Sequence, residues 1–399
     1  MASALAALAV GACGSASGVA STASTAPACA STVAGTLAGV AERIYRAAAG
    51  GGDVQEAVAR VRGSRALANA IASGDAAGAG TALRALLLGQ IVRVEVLRGG
   101  HVWASAGAGA AVAPIRGSLP GTGASFVLSV QSVRDYLQVT RQVTGAQVAL
   151  LQGAPAEAGG GALGSTLPGV AGARPPATGP FDYRGQSYQV ASFTGAQAFP
   201  AGALRTTLLV GASAISCPGS TAQARVETLG GVGEHIYGEE LHGASVISTE
   251  RTLERSQAFR RAVAARSVQA TRAAIVGFFR AHLHVVRVRV TVGGKLLVDV
   301  GGPYALAPVH GTLRSGGRVV GDFTWAIQDD AGYLKLARLF TGAQVLMRTG
   351  AHQVMGTLSP GPATVPARGA VSYDGHSYQA YSFTAEAFPS GPLRISLLL

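Results

Sequence analysis

The stretch VVRVRV at residues 285–290 decides how the chain is organised, because IVRVEV occurs at residues 91–96. The same offset carries APIRGSL at residues 113–119 onto APVHGTL at residues 307–313. Self-similarity that keeps one register over separate blocks is typical of a repeated structural unit. The sequence therefore predicts two copies of one domain.

Later blocks repeat as well and set the boundaries of the two copies. TGAQV and the motif GQSYQ or GHSYQ each occur twice, at residues 144–148 and 341–345 and at residues 185–189 and 375–379. We expect repeat A at residues 31–211, a linker at 212–233 and repeat B at 234–399. A Gly-, Ala- and Pro-rich stretch at residues 153–179 is interpreted as a loop insertion in repeat A that forms no core.

Hydrophobic periodicity gives the order of elements within repeat B. Residues 251–282 have apolar side chains at helical spacing, which predicts one or two amphipathic helices. Valines then alternate with arginine and threonine over residues 286–292, which indicates a strand, and Gly293-Gly294 indicates a hairpin. A third strand, a short helix at residues 333–340 and three final strands follow. The predicted class is α+β, with one or more N-terminal helices packed on an antiparallel sheet in each repeat.

Three segments carry a family resemblance: VGGKLL at residues 292–297, GGRVVGDF at 316–323, and RGGHVW at 98–103 in repeat A. With the preceding helix, they resemble the Cache family, the PAS-like extracytoplasmic sensor domains of bacteria. The resemblance implies two tandem Cache-like domains, each with a long N-terminal helix on an antiparallel sheet. It also implies a small-molecule pocket between the sheet and the loop before its central strands.

In repeat B that implied pocket has polar and aromatic candidates, namely Tyr304, His310, Arg314, Trp325, Asp329, Asp330 and Tyr333. An acidic pair beside aromatic rings can hold an ammonium group, and an arginine can hold a carboxylate, so an amino acid or amine is the expected ligand. Repeat A lacks the acidic pair at residues 129–133, so we expect repeat B to bind. The alternative is that Trp325 belongs to the core and that Asp329 and Asp330 cap a helix.

Composition and motifs limit the other function classes. The net charge is +12, but only Lys295 and Lys335 are lysines and the arginines are scattered, so no nucleic-acid partner is expected. His235, Glu239 and His242 have the spacing of metal ligands on a helix, but such spacing arises often by chance, and no metal is predicted. No catalytic or cofactor-binding motif occurs, so we expect no cofactor and no enzymatic activity. A hydrolase with a triad of distant residues stays an alternative.

The N-terminus predicts export. Residues 1–12 resemble a signal peptide, and VGAC at residues 10–13 resembles a lipobox, which implies lipidation of Cys13. Residues 13–30 then form a flexible tether; the alternative is an Ala-rich start without a signal. Outside the cytoplasm Cys29 and Cys217 either pair or stay as thiols.

The sequence thus predicts an exported, non-enzymatic lipoprotein of sensor type that binds a small molecule in repeat B. It would contact the membrane only through its lipid anchor and pass its signal to a membrane partner. A structural or protein-interaction module of the cell envelope is the first alternative, and a secreted hydrolase is the second.

Overall fold

The protein is represented by a computed structural model, which describes residues 25–88, 90–152, 161–170, 172–217 and 219–399. The predicted signal peptide and Cys13 lie outside the described residues. Helices and antiparallel sheets make up both repeats, so the predicted α+β class is confirmed. Among the described helices, none is both long enough and apolar enough to cross a membrane.

The elements of repeat A follow in chain order: α1 Thr25–Gly50, α2 Gly52–Gly63, α3 Arg65–Ser73, α4 Ala76–Leu86, β1 Arg93–Arg98, β2 His101–Ala106, β3 Ala111–Val112, β4 Ile115–Ser118, β5 Ser125–Ser129, β6 Gln131–Ser132, α5 Val133–Thr144, β7 Gln147–Gln152, β8 Ala162–Ser165, β9 Thr178–Tyr183, β10 Gln186–Phe199 and β11 Gly202–Gly211.

The elements of repeat B are α6 Thr221–His242, α7 Ala244–Arg255, α8 Gln257–Ala264, α9 Val268–Ala281, β12 Arg287–Val292, β13 Lys295–Gly301, β14 Ala305–Leu306, β15 Val309–Ser315, β16 Arg318–Ala326, α10 Asp330–Thr341, β17 Gln344–Thr349, β18 His352–Gly356, β19 Arg368–Tyr373, β20 His376–Phe388 and β21 Gly391–Leu398.

Over the described residues each repeat has two sheets, whereas the sequence suggests one. A four-stranded sheet has the order β2-β1-β5-β4 in repeat A and β13-β12-β16-β15 in repeat B. A second sheet has the order β6-β3-β10-β11-β7-β8 in repeat A and β14-β20-β21-β17-β18 in repeat B, with β9 and β19 paired to β10 and β20. The chain separates them because the first hairpin pairs with β5 or β16, while the last long hairpin pairs with β7 or β17.

The predicted linker at residues 212–233 is wrong over most of its length. Helix α6 begins at Thr221, and its Val226, Leu229 and Val232 are buried. Its sequence VGEHIY at residues 232–237 corresponds to VAERIY at residues 40–45 of α1, so α6 is the first helix of repeat B. Similarly, α1 begins inside the predicted tether, at Thr25.

Two further predictions need correction. Residues 251–282 form three helices rather than one or two, because Ser256 and Ser267 act as N-caps and accept hydrogen bonds from Phe259 N and Ala270 N. The stretch predicted to be a coreless insertion contains strand β8. It also contains Val170, which is buried in a small cluster with Leu151 and Tyr188.

The two repeats share one central core. Helix α1 packs on α6, and each of them also contacts the short helix of the other repeat, α10 or α5. Tyr136 donates a hydrogen bond to the carbonyl of Ala41, and Tyr333 donates the equivalent bond to Gly233, both at 3.0 Å. A disulfide joins Cys29 to Cys217 with a Cα–Cα distance of 5.8 Å, so the two N-terminal helices are also linked covalently.

Candidate functional site

Two of the aromatic residues predicted to line a pocket in repeat B, Trp325 and Tyr333, lie in two different cores. Trp325 is fully buried between the four-stranded sheet and helices α7–α9. Tyr333 is fully buried in the central core that both repeats share. Trp325 is therefore a core residue, as the alternative interpretation of the sequence expects.

The polar candidates on β15 face away from Trp325. Val309 pairs with Trp325, so the next residue, His310, lies on the opposite face of the sheet, where its Nδ1 is 3.0 Å from Thr324 Oγ1. Arg314 is exposed on the same strand, and Tyr304 is exposed in the loop before β14. These side chains and Trp325 do not surround a common cavity.

The acidic pair has two different environments. Asp329 is the N-cap of α10 and accepts a hydrogen bond from Gly332 N at 2.6 Å, as the capping alternative expects. Asp330 is only 1% exposed, and neither carboxylate oxygen has a hydrogen-bond partner among the described residues. Burial, and secondarily the charge of Asp329, raises the pKa of Asp330 to about 6. A carboxyl with so little exposure is poorly placed to anchor a soluble amine.

A groove in repeat A has a volume of about 1080 Å³. It runs along helix α5 and is closed by the loop between β2 and β3, by strand β8 and by one residue of α6. We call it the α5 groove. Its lining consists of Ala108, Gly109, Ala110, Ser132, Val133, Arg134, Leu137, Gln138, Arg141, Gln142, Gly145, Leu163, Gly164, Ser165, Thr166 and Glu239.

The local sequence explains why α5 presents two different faces. Ser132 caps the helix by accepting from Asp135 N at 3.0 Å, and Gly145 ends it in the left-handed conformation, with φ +68°. Val133 and Leu137 are buried, and a Cβ on Gly164 would lie 2.9 Å from Leu137 Cδ1. Glycine at position 164 therefore lets β8 approach the helix closely and form an apolar floor.

The exposed face of α5 supplies the polar side of the groove. Arg134, Gln138 and Arg141 follow one another at i, i+4 and i+7, which places them on one side of a helix over about 10 Å. None of the three side chains has a hydrogen-bond or ion-pair partner within the part of the chain that the structure describes. They are free to contact a bound molecule.

Repeat B contributes one acidic residue to this groove. Glu239 Oε2 accepts a hydrogen bond from Gln142 Nε2 at 3.1 Å, so the carboxylate is held at the junction between the repeats. Burial, together with the charge of Glu239, raises the pKa of the adjacent Glu240 to about 7. Because the lining contains two arginines and one glutamate, it carries a net positive charge.

Two of the residues with the spacing of metal ligands, His235 and Glu239, lie near this groove. His235 faces the end of α5, since a Cβ on Gly145 would lie 2.8 Å from His235 Cε1, whereas Glu239 bonds to Gln142. No group of three or more His, Cys, Asp or Glu side chains among the described residues is arranged to hold a metal ion.

Sequence reasoning missed the α5 groove. Repeat A was not expected to bind a ligand because residues 129–133 lack an acidic pair. The first groove arginine, Arg134, directly follows that segment. The available signal was the spacing of Arg134, Gln138 and Arg141 on a helix with buried Tyr136 and Leu137. The walls themselves come from elements far apart in the chain.

Comparisons with known proteins add one similar structure. No protein-family model and no curated protein matches the chain. A solved structure that matches is the periplasmic domain of LuxQ from Vibrio cholerae, with a TM-score of 0.33 and 13% identity. The match covers 44% of this chain and 99% of that one.

Proposed function

We propose that this protein is an exported, non-enzymatic small-molecule-binding protein of sensor type, and that it binds an anionic ligand in the α5 groove. The observation that carries the proposal is the row of unpaired side chains, Arg134, Gln138 and Arg141, above an apolar floor. Most small-molecule sites combine such a floor with a few convergent polar groups, in volumes of about 300–1,000 Å³.

The chemistry of these side chains favours a carboxylate over the amine expected from the sequence. A guanidinium group can donate two parallel hydrogen bonds to a carboxylate, and it stays charged at all relevant pH values. Gln138 can donate or accept between the two arginines. Glu239 is the one acidic residue in the described lining, and it already accepts a bond from Gln142. The proposed site therefore belongs mainly to repeat A, with repeat B contributing its edge.

Location outside the cytoplasm is supported by the disulfide between Cys29 and Cys217, since such bonds persist in oxidising compartments. Lipidation of Cys13 would hold the two repeats at the membrane surface. A membrane signalling partner would then detect the occupied state. Both the anchor and the partner are proposals.

The test is a calorimetric titration of the full chain with monocarboxylates, dicarboxylates, amino acids and amines. We expect at least one carboxylate class to bind, and Arg134→Ala or Arg141→Ala to weaken it at least tenfold, because a hydrogen bond to a charged group contributes about 1.5–3 kcal/mol. Arg338→Ala is the matched control, because Arg338 is the exposed equivalent of Arg141 in repeat B.

The proposal fails if no carboxylate binds, or if binding is unchanged in both groove variants. Equal weakening by Arg338→Ala would show a general charge effect rather than a site. Binding of amines that is insensitive to Arg134 and Arg141 would also contradict it.

A further inference from the structure

Two crevices flank the pair of helices α1 and α6 at the junction of the repeats. One, of about 250 Å³, we call the arginine crevice; it is lined by Thr32, Gly35, Thr36, Gly39, Arg43, Arg225 and Leu229. The other, of about 460 Å³, we call the histidine crevice; its α1 and α6 lining is Val33, Leu37, Ala224, Glu227, Thr228, Gly231, Val232 and His235. The two lie on opposite sides of the same helix pair.

The crevices are built from equivalent positions. The register that aligns VAERIY with VGEHIY places Thr36 on Thr228 and Gly39 on Gly231, so these residues are the same in both. Thr32 corresponds to Ala224, and three further positions differ in charge. Arg43 corresponds to His235, Arg225 to Val33, and Gly35 to Glu227, a set that makes one crevice cationic and leaves the other mixed.

In the arginine crevice the positive charges are not neutralised by its lining. Arg225 has no hydrogen-bond or ion-pair partner among the described residues. Arg43 Nη1 donates to the carbonyl of Phe340 at 3.3 Å, a neutral acceptor at the end of α10. In the histidine crevice, by contrast, Glu227 Oε1 lies 3.3 Å from Arg368 Nε.

The two guanidinium groups are close enough to interact. Burial lowers the pKa of Arg43 and the charge of Arg225 lowers it further, whereas Glu42 opposes this. Glu42 is itself paired with Arg46 at 2.5 Å. Like charges held together at a helix junction cost free energy unless an anion lies between them.

We infer that the arginine crevice is a binding site for a small, doubly charged oxyanion such as phosphate or sulfate. The anion would bridge Arg43 of repeat A and Arg225 of repeat B, and through Arg43 it would also connect to α10. A volume of about 250 Å³ is large enough for a tetrahedral oxyanion. Because both arginines are needed, the site exists only when the two repeats are docked, and occupation stabilises the docked arrangement.

The experiment measures thermal unfolding of the full chain in increasing sodium phosphate or sodium sulfate, with sodium chloride at equal ionic strength as reference. We expect a saturable rise in Tm with the oxyanions beyond that with chloride. Arg225→Val, which installs the residue of the equivalent position, should weaken phosphate binding at least tenfold. Arg43→His, the other equivalent exchange, should do the same, and Arg338→Ala should bind like the unmodified protein.

Three results would overturn the inference. The first is a rise in Tm that does not exceed the rise with chloride. The second is a saturable rise that persists in both Arg225→Val and Arg43→His. The third is a rise lost in Arg141→Ala but kept in Arg225→Val, which would place the anion in the α5 groove. Circular dichroism of each variant checks that the fold is intact, and the exposure of Arg225 favours this.

Discussion

Replacing Asp330 with valine should stabilise the protein at neutral pH. Asp330 is 1% exposed, both of its carboxylate oxygens lack hydrogen-bond partners among the described residues, and its equivalent in repeat A is the buried Val133. A buried carboxylate without partners is costly, so the folded state favours the neutral acid. The valine of repeat A shows which side chain fits this position on the equivalent helix.

The size of the effect follows from the pKa. The folded protein holds Asp330 at a pKa of about 6, against an ordinary value of 3.8, and this difference corresponds to about 3 kcal/mol. Well below pH 4 the carboxyl is protonated in both states, and the cost of burying its charge is absent. As the pH rises from about 4 to 6 the unfolded state ionises first, so folding stability is lost, and the full cost applies above about pH 6. The negative charge in the first turn of α10 offsets about 0.3–1 kcal/mol of it.

Urea unfolding at pH values from 4 to 8 measures this directly. Asp330→Val should raise the free energy of unfolding relative to the unmodified protein. This increase should be about 2–3 kcal/mol larger at pH 8 than at pH 4. Asp330→Asn, which keeps the shape and removes the charge, should show the same flattened pH dependence. Asp329→Asn keeps the N-cap but removes the charge that adds to the raised pKa of Asp330, so it should reduce the pH dependence only in part. Parallel pH profiles for the unmodified protein and both Asp330 variants would refute the reasoning.

Two other predictions concern the N-terminal region. Reducing the bond between Cys29 and Cys217, which closes a loop of 188 residues, should lower the free energy of unfolding by up to about 5 kcal/mol in the loop-entropy model. Urea unfolding with and without reductant measures this change. The stability of Cys29→Ser should be insensitive to the reductant. An unchanged midpoint on verified reduction would contradict it. Lipidation of Cys13 predicts that the protein expressed in a bacterium enters the detergent phase on Triton X-114 partitioning and that Cys13→Ser stays in the aqueous phase. Partitioning of the unmodified protein into the aqueous phase would contradict the predicted lipidation of Cys13.

The repeat and the element order could be predicted because they depend on local pattern. The valine alternation at residues 286–292 and the Gly293-Gly294 hairpin are properties of neighbouring residues, and the structure has both. Residues 221–233 of helix α6 were assigned to the linker, and their glycines at positions 230, 231 and 233 lower helix propensity. In the structure Gly230 and Gly233 are buried against the sheet of repeat B, where a Cβ would meet Tyr381 and Leu397, so tertiary packing overrides propensity.

The candidate site could not be predicted for a different reason. Trp325 and Asp330 are close in sequence. The Trp325 side chain belongs to the core between the four-stranded sheet of repeat B and helices α7–α9, whereas Asp330 lies at the start of α10, beside the second sheet. Nothing in the local pattern shows that the chain passes from one sheet to the other between them. The α5 groove likewise needs Glu239, which follows Gln142 by almost a hundred residues.

The internal symmetry separates residues that maintain the fold from those that are free to define function. Tyr45 and Tyr237 accept equivalent backbone bonds from Gln197 and Glu386, each at 2.8 Å, so these contacts are the same in both repeats. Some of the positions that differ carry charge in one repeat and none in the other, as at Arg225 against Val33. Because the equivalent repeat folds with the uncharged residue, the charge is not required by the shared architecture. Exchanging residues between equivalent positions therefore tests binding with little risk to folding.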